Sequence, residues 1–271
     1  MNFGNTLETL LKTADPDEKF ALFESFYRAF TQGAIEITFE DDPIVFAEPS
    51  YAPLMRTVPL GGVRRGGSLK EPKNRALLLH SVAHIEYSAI DLALDAAYRF
   101  RDLPKDFYAD WLAVADEEIA HFKMLRELLA RAGVKYGDFE VHTGLFEAAK
   151  QTQTLIERMA VVPRTMEAGG LDANAQMRRK VESVADDAIM ADFLGALDVI
   201  LRDEIDHVRK GDRWFKYACL QAGLEPQQAY VQILSDRGEI KSKRQMNVEA
   251  RLKAGFSCEE LSVLAGQRVC G

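Results

Sequence analysis

The feature that most limits what this chain can become is a short repeat. Glu118-Ile-Ala-His121, in "DEEIAHF", returns as Glu204-Ile-Asp-His207 in "LRDEIDHV". Residues three apart share one helix face, so each copy presents a carboxylate and an imidazole in the same direction. Trp111, Val114, Ala115, Phe122 and Leu125 surround Glu118 at helical spacing, and Phe193, Leu197, Ile200, Val208 and Gly211 surround Glu204. Both pairs are therefore expected to point inward. Buried carboxylates that face one another repel and lose hydration, so the pattern demands compensating positive charge. Neither stripe carries a lysine or arginine, which leaves metal dications as the expected source.

A helical site built on two such pairs needs one further glutamate from each of two more helices. Glu86 lies on a stripe with Leu79, Val82, Ala83, Ile90, Ala93 and Ala97 and precedes Glu118. Glu167, in "VVPRTMEAGGLD", precedes Glu204, so the chain reads Glu then Glu-x-x-His twice, as a duplicated helix pair. Glu157 competes with Glu167, but its helical neighbours Gln153 and Arg164 are polar and its separation from Glu204 fits less well; Glu167 is favoured. Pro163 stands one turn before Glu167 and cannot donate its backbone bond, which predicts a kink or bulge beside the ligand.

Four other residues are candidates for support around the ligands. Glu117 and Asp203 each precede a ligand glutamate by one residue, and either orient the ligands or are solvated. His84 and Tyr87 flank Glu86 and, with His80 and Asp91, form a polar face offset from it, where a hydrogen-bonded network is favoured over a zinc site. Tyr87 and Trp214 are read as packing aromatics before redox groups, and His142 as a structural or exposed loop residue.

Periodicity and punctuation place these residues on helices. A helical hairpin is expected over 5–32, turned at Pro16, followed by a proline- and glycine-rich extended wrap over 34–68. A capping box of Ser68 and Glu71 predicts a helix from Pro72 to about Phe100. A second runs over about 105–131, a third from about Gly144 to Ala168 closed by Gly169-Gly170, then a short one over 173–184 and a long one from Asp187 to Ala222. The tail "EPQQAYVQILSDRGEI" and residues 258–266 read as further helices. The expected organisation is an N-terminal hairpin and wrap over 1–70, a helical bundle over 71–222 and a helical tail over 223–271.

Composition narrows the partners. A net charge of −8 disfavours generic nucleic-acid binding, leaving only a local basic patch around Arg64-Arg65. The N-terminus lacks the basic start and apolar run of a signal peptide, and no later stretch stays apolar for a bilayer's thickness, so a cytoplasmic protein without a membrane partner is expected. Cys219, Cys258 and Cys270 are too few and scattered for a disulfide framework or a thiolate zinc site and read as structural or incidental.

Residues 72–220 resemble the ferritin-like di-iron carboxylate superfamily, in which helices one and three each give a Glu and helices two and four give Glu-x-x-His. Within it, "HIEYSAIDL", "YRFR", "DEEIAHF", "VPRTMEAGGLD" and "LRDEIDHV" look like a bacterial family of uncharacterised ferritin-like proteins. "AHIEYSA" and Glu167-Ala168 are more distantly similar to demethoxyubiquinone hydroxylase and to di-iron tRNA hydroxylases. Gly169 departs from the pattern, where near relatives would carry an arginine. The resemblance implies an all-α, ferritin-like four-helix bundle. It implies two iron ions, or one manganese and one iron, held by Glu86, Glu118, His121, Glu167, Glu204 and His207.

The expected activity is O2-activating oxidation of a small-molecule substrate with an external electron donor, in a monomer or small homo-oligomer. The alternatives are iron storage or buffering, peroxide detoxification, a tRNA-modifying hydroxylase, and a structural bundle whose carboxylates are paired by arginine.

Overall fold

The computed structural model describes residues 1–59, 61–63, 66–238 and 245–270. Arg64 and Arg65, where a basic patch was expected, and the last two residues of "EPQQAYVQILSDRGEI" lie outside them. The fold is all-α, as the sequence predicts; among the described residues the strands are two-residue segments, β1 (Thr57–Val58) and β2 (Val141–His142), paired in parallel. The chain divides into two compact units, 1–150 and 151–271, a partition that cuts across the 71–222 segment.

In the first unit, α1 (Phe3–Lys12) and α2 (Pro16–Thr31) form the expected hairpin. Asp15 caps α2 by accepting from the amides of Asp17 and Glu18, and Pro16 follows it where a helix tolerates proline. Among the described residues, the wrap that follows is irregular apart from a 3-10 turn (Ala52–Leu54) and β1. Then come the two long helices, α3 (Pro72–Arg99) and α4 (Lys105–Arg131), which pack along each other. Their ends agree with the sequence reading, but the cap differs. Glu71 is the N-cap of α3 and its side chain makes no capping bond, while Ser68 Oγ accepts from the Lys70 amide instead of closing a box. Rings of the hairpin fill the space beside the long pair: Phe3 meets Tyr108, and Phe20 meets Tyr87 and Phe122.

The third helix is not one rod. α5 (Gly144–Gln151) ends, and Thr154 starts α6 (Leu155–Val161) with a capping box closed by Glu157. A π-helix follows (Val162–Glu167) and runs without a break into α7 (Ala168–Glu182). The expectation that Gly169-Gly170 closes the helix is therefore overturned, and the separate 173–184 helix is the end of α7. Each glycine weakens a helix by only about 1 kcal/mol, and α7 packs against a long neighbour, α8 (Ala188–Gln221). Asp187 caps α8 through the amides of Ile189 and Met190.

The tail carries α9 (Pro226–Asp236), α10 (Val248–Lys253) and α11 (Cys258–Ala265). Cys258 and Cys270 are joined by a disulfide, a pairing that the reading of three scattered cysteines as structural or incidental did not anticipate; Cys219 alone is free and buried. The pairing ties the start of α11 to the chain's last residues, a link that neither cysteine's local sequence announces. Among the described residues, no helix is long and apolar enough to cross a membrane.

Candidate metal centre

In the first unit, α3 and α4 bring three predicted ligands together. His121 Nδ1 lies 3.2 Å from Glu86 Oε2 and 3.3 Å from Glu118 Oε2. All three side chains are buried, Glu118 completely, and each offers a ligand atom within 4.8 Å of the others. The geometry follows from the sequence: Glu118 and His121 share a face by their spacing, and the apolar stripe of α3 turns Glu86 toward α4.

Electrostatics show what such a group lacks. Burial, and then the charge of Glu118, push the Glu86 carboxyl above the ordinary range. Burial alone would lower His121, but its hydrogen bonds to Glu118 and Glu86 and their charges outweigh that and hold the imidazole far above the usual histidine value. Two buried carboxylates thus converge on one imidazole. One imidazole does not balance two ionised carboxylates, whereas a dication does, so the donor set fits a metal ion.

The second unit repeats the motif. His207 Nδ1 lies 3.8 Å from Glu204 Oε2, His207 is fully buried and Glu204 is partly so. Three contacts fix the antiparallel register of the π-helix and α7 against α8. Pro163 abuts Gly211, Asn174 donates to the Leu197 carbonyl at 2.9 Å, and Arg178 pairs with Asp198. Glu167 follows Pro163 by about one turn on this packed face, but among the described residues neither it nor His207 belongs to the group of ligand atoms within 4.8 Å of one another. Glu157, its competitor, spends its carboxylate on the Thr154 cap. The bulge expected from Pro163 is present as the π-helix, which ends on Glu167.

The supporting candidates have other engagements. Tyr87 donates to the Ala14 carbonyl at 3.1 Å. His84 Nε2 lies 3.0 Å from the His142 carbonyl and so carries the proton, leaving Nδ1 to accept from Tyr136 at 3.1 Å. His80 Nε2 accepts from the Gly137 amide at 2.9 Å. The hydrogen-bonded reading of this face holds for the histidines, which anchor the loop after α4. Asp91 belongs to a different cluster, with fully buried Lys19 and with Ser50, which donates to it at 2.6 Å. Asp203 is held by Arg202 at 2.8 Å, and Glu117 is half-buried. Trp214 is buried with Arg213 over its ring. A side chain at Gly169 would meet nothing within 4 Å.

Sequence reasoning passed over Arg164, Asp212 and Glu260. Arg164 is completely buried, 3.3 Å from Asp212 and 2.6 Å from Glu260. The signal was its position in the apolar run "MAVVPRTM", where an arginine has to find buried acids.

An all-α fold and a buried carboxylate–histidine group able to hold a metal ion define the class of protein this is. The chain belongs to the family described as protein of unknown function (DUF455), whose model matches residues 12–262. It is 38% identical over 272 residues to an uncharacterised protein of Haemophilus influenzae, covering 96% of this chain and 92% of that one. No solved structure gives a significant match.

Proposed function

We propose that this protein is a ferritin-like di-metal oxidoreductase. Glu86, Glu118, His121, Glu167, Glu204 and His207 hold two iron ions, or one manganese and one iron, and the protein oxidises a small molecule with O2 and electrons from an external donor. The observation that carries this reading is the buried Glu86, Glu118 and His121 group, with two carboxylates and one imidazole within 4.8 Å of one another. The second Glu-x-x-His, and the position of Glu167 at the end of a π-helix that packs on α8, support the rest of the ligand set. Carboxylate and imidazole donors suit iron and manganese. Bound iron supplies redox chemistry toward O2.

The chain's own contribution is charge and protonation. Glu118 and Glu204 present carboxylates from a fixed helix face, and His121, held between Glu86 and Glu118, releases its extra proton as the site is loaded. The apolar stripe around Glu118 keeps water from that carboxylate.

Anaerobic reconstitution with ferrous iron followed by elemental analysis tests the reading. About two ions per chain are expected. Glu118→Ala and Glu204→Ala should each lower bound iron by about half or more at unchanged helicity. Unchanged stoichiometry in both variants refutes the ligand assignment, and loading far above two per chain replaces oxidation with storage.

A further inference from the structure

The π-helix widens by one residue per turn, which rotates everything after it by about 100° relative to an uninterrupted α-helix. Glu167 is its last residue, so the direction of that side chain depends on whatever holds the wide turn open. Two groups of contacts hold it. On α8, Pro163 rests against Gly211 and Arg164 pairs with Asp212, one turn beyond His207. From the tail, Glu260 of α11 takes the other side of the Arg164 guanidinium. Phe215, Tyr230 and Phe256 enclose it at 4.3–4.8 Å. Tyr230 also donates to the Arg164 carbonyl at 2.9 Å and lies 3.1 Å from the Thr165 hydroxyl, so the tail grips the wide turn through its backbone as well as through the guanidinium.

We propose that Arg164 is a positioning residue for the Glu167 carboxylate, and that the C-terminal tail, through Glu260, is a working part of the metal site. A buried arginine between two acids fixes the rotation of the π-helix far more narrowly than apolar packing does, because its planar fork has one geometry toward each carboxylate. The inference rests on the ligand role of Glu167 given above.

Cobalt(II) is the probe, since its ligand-field absorption reports coordination apart from activity. The variants are Glu260→Gln and Asp212→Asn. Gln at 260 keeps the α11 capping box that Glu260 makes with Ser257 while removing the charge. The control is Leu261→Ala, which destabilises α11 without touching Arg164; Leu261 is fully buried. Wild-type protein is expected to take two cobalt ions. In both charge variants one of them should bind at least ten-fold more weakly with a changed spectrum, and in the control both affinities should stay within two-fold with the spectrum unchanged. Charge variants that bind like wild type, or a control that shifts as they do, overturn the clamp alone. Wild-type protein that takes no cobalt overturns the ligand set and the clamp with it.

Discussion

Gly211 stands where α8 meets the π-helix, and replacing it with alanine tests that packing directly. A Cβ there would lie 2.2 Å from the Cβ and 2.4 Å from the Cγ of Pro163. Neither atom is the far end of a flexible chain: both belong to the proline ring. Relief requires the two helices to separate by about 1 Å, and such overpacking costs about 1–3 kcal/mol or more, with rigid surroundings setting the upper end. Alanine returns up to about 1 kcal/mol through its better helix propensity. The expected net loss for Gly211→Ala is about 2 kcal/mol.

Gly195, on the same helix, is the internal control. A Cβ there meets nothing within 4 Å, so Gly195→Ala should stabilise by about 0.5–1 kcal/mol through propensity alone. The assay is urea unfolding followed by Trp214 fluorescence in a Trp111→Phe background, which leaves one tryptophan, on α8. Midpoints should move in opposite directions for the two variants at constant slope. Two alanines that shift the midpoint alike would refute the claim that Pro163 requires a glycine opposite it.

Two further outcomes follow from the same contacts. Burial holds His80 near a pKa of about 4, and its Nε2 accepts a backbone amide, so only the neutral ring fits the fold. The unfolded chain binds a proton below pH ~6.5 that the folded chain refuses down to about 4, so stability is full above 6.5 and falls across that window, by about 2 kcal/mol after screening. Burial lowers His84 to about 4 as well, so His80→Gln should make the profile shallower there by about half, and parallel profiles would count against it. Thiol titration without reductant should find one reactive group after denaturation, Cys219, and three after reduction; three in both conditions would contradict the Cys258–Cys270 pairing.

How legible the molecule was from its sequence depended on how local each cause is. The ends of α4 and α8 were readable because their apolar period stops at Gly133 and Gly223, which take positive φ beyond the helix ends. The Glu118 and His121 pairing with Glu86 was readable because three-residue spacing and one apolar stripe dictate it. Gly169-Gly170 misled because propensity was the only evidence at hand, and burial of Leu171 and Asn174 against α8 outweighs it. The Cys258–Cys270 link could not be read, since no motif surrounds either residue.

Pro163 marks the boundary between what is local and what is not. A proline in a helix forbids one backbone bond, and that much is a property of the residue, so a distortion before Glu167 follows from sequence alone. Whether the distortion becomes a kink, a break or a π-turn is decided by what can occupy the space it opens. Here Gly211 admits the ring, Asp212 and Glu260 take the neighbouring arginine, and Tyr230 donates to that arginine's carbonyl. These residues lie 47 or more positions downstream of Arg164. Under the proposed ligand role of Glu167, the direction of its carboxylate depends on the tail as closely as on its own helix. Mutations between 225 and 262 should therefore be searched for metal phenotypes as well as for folding defects.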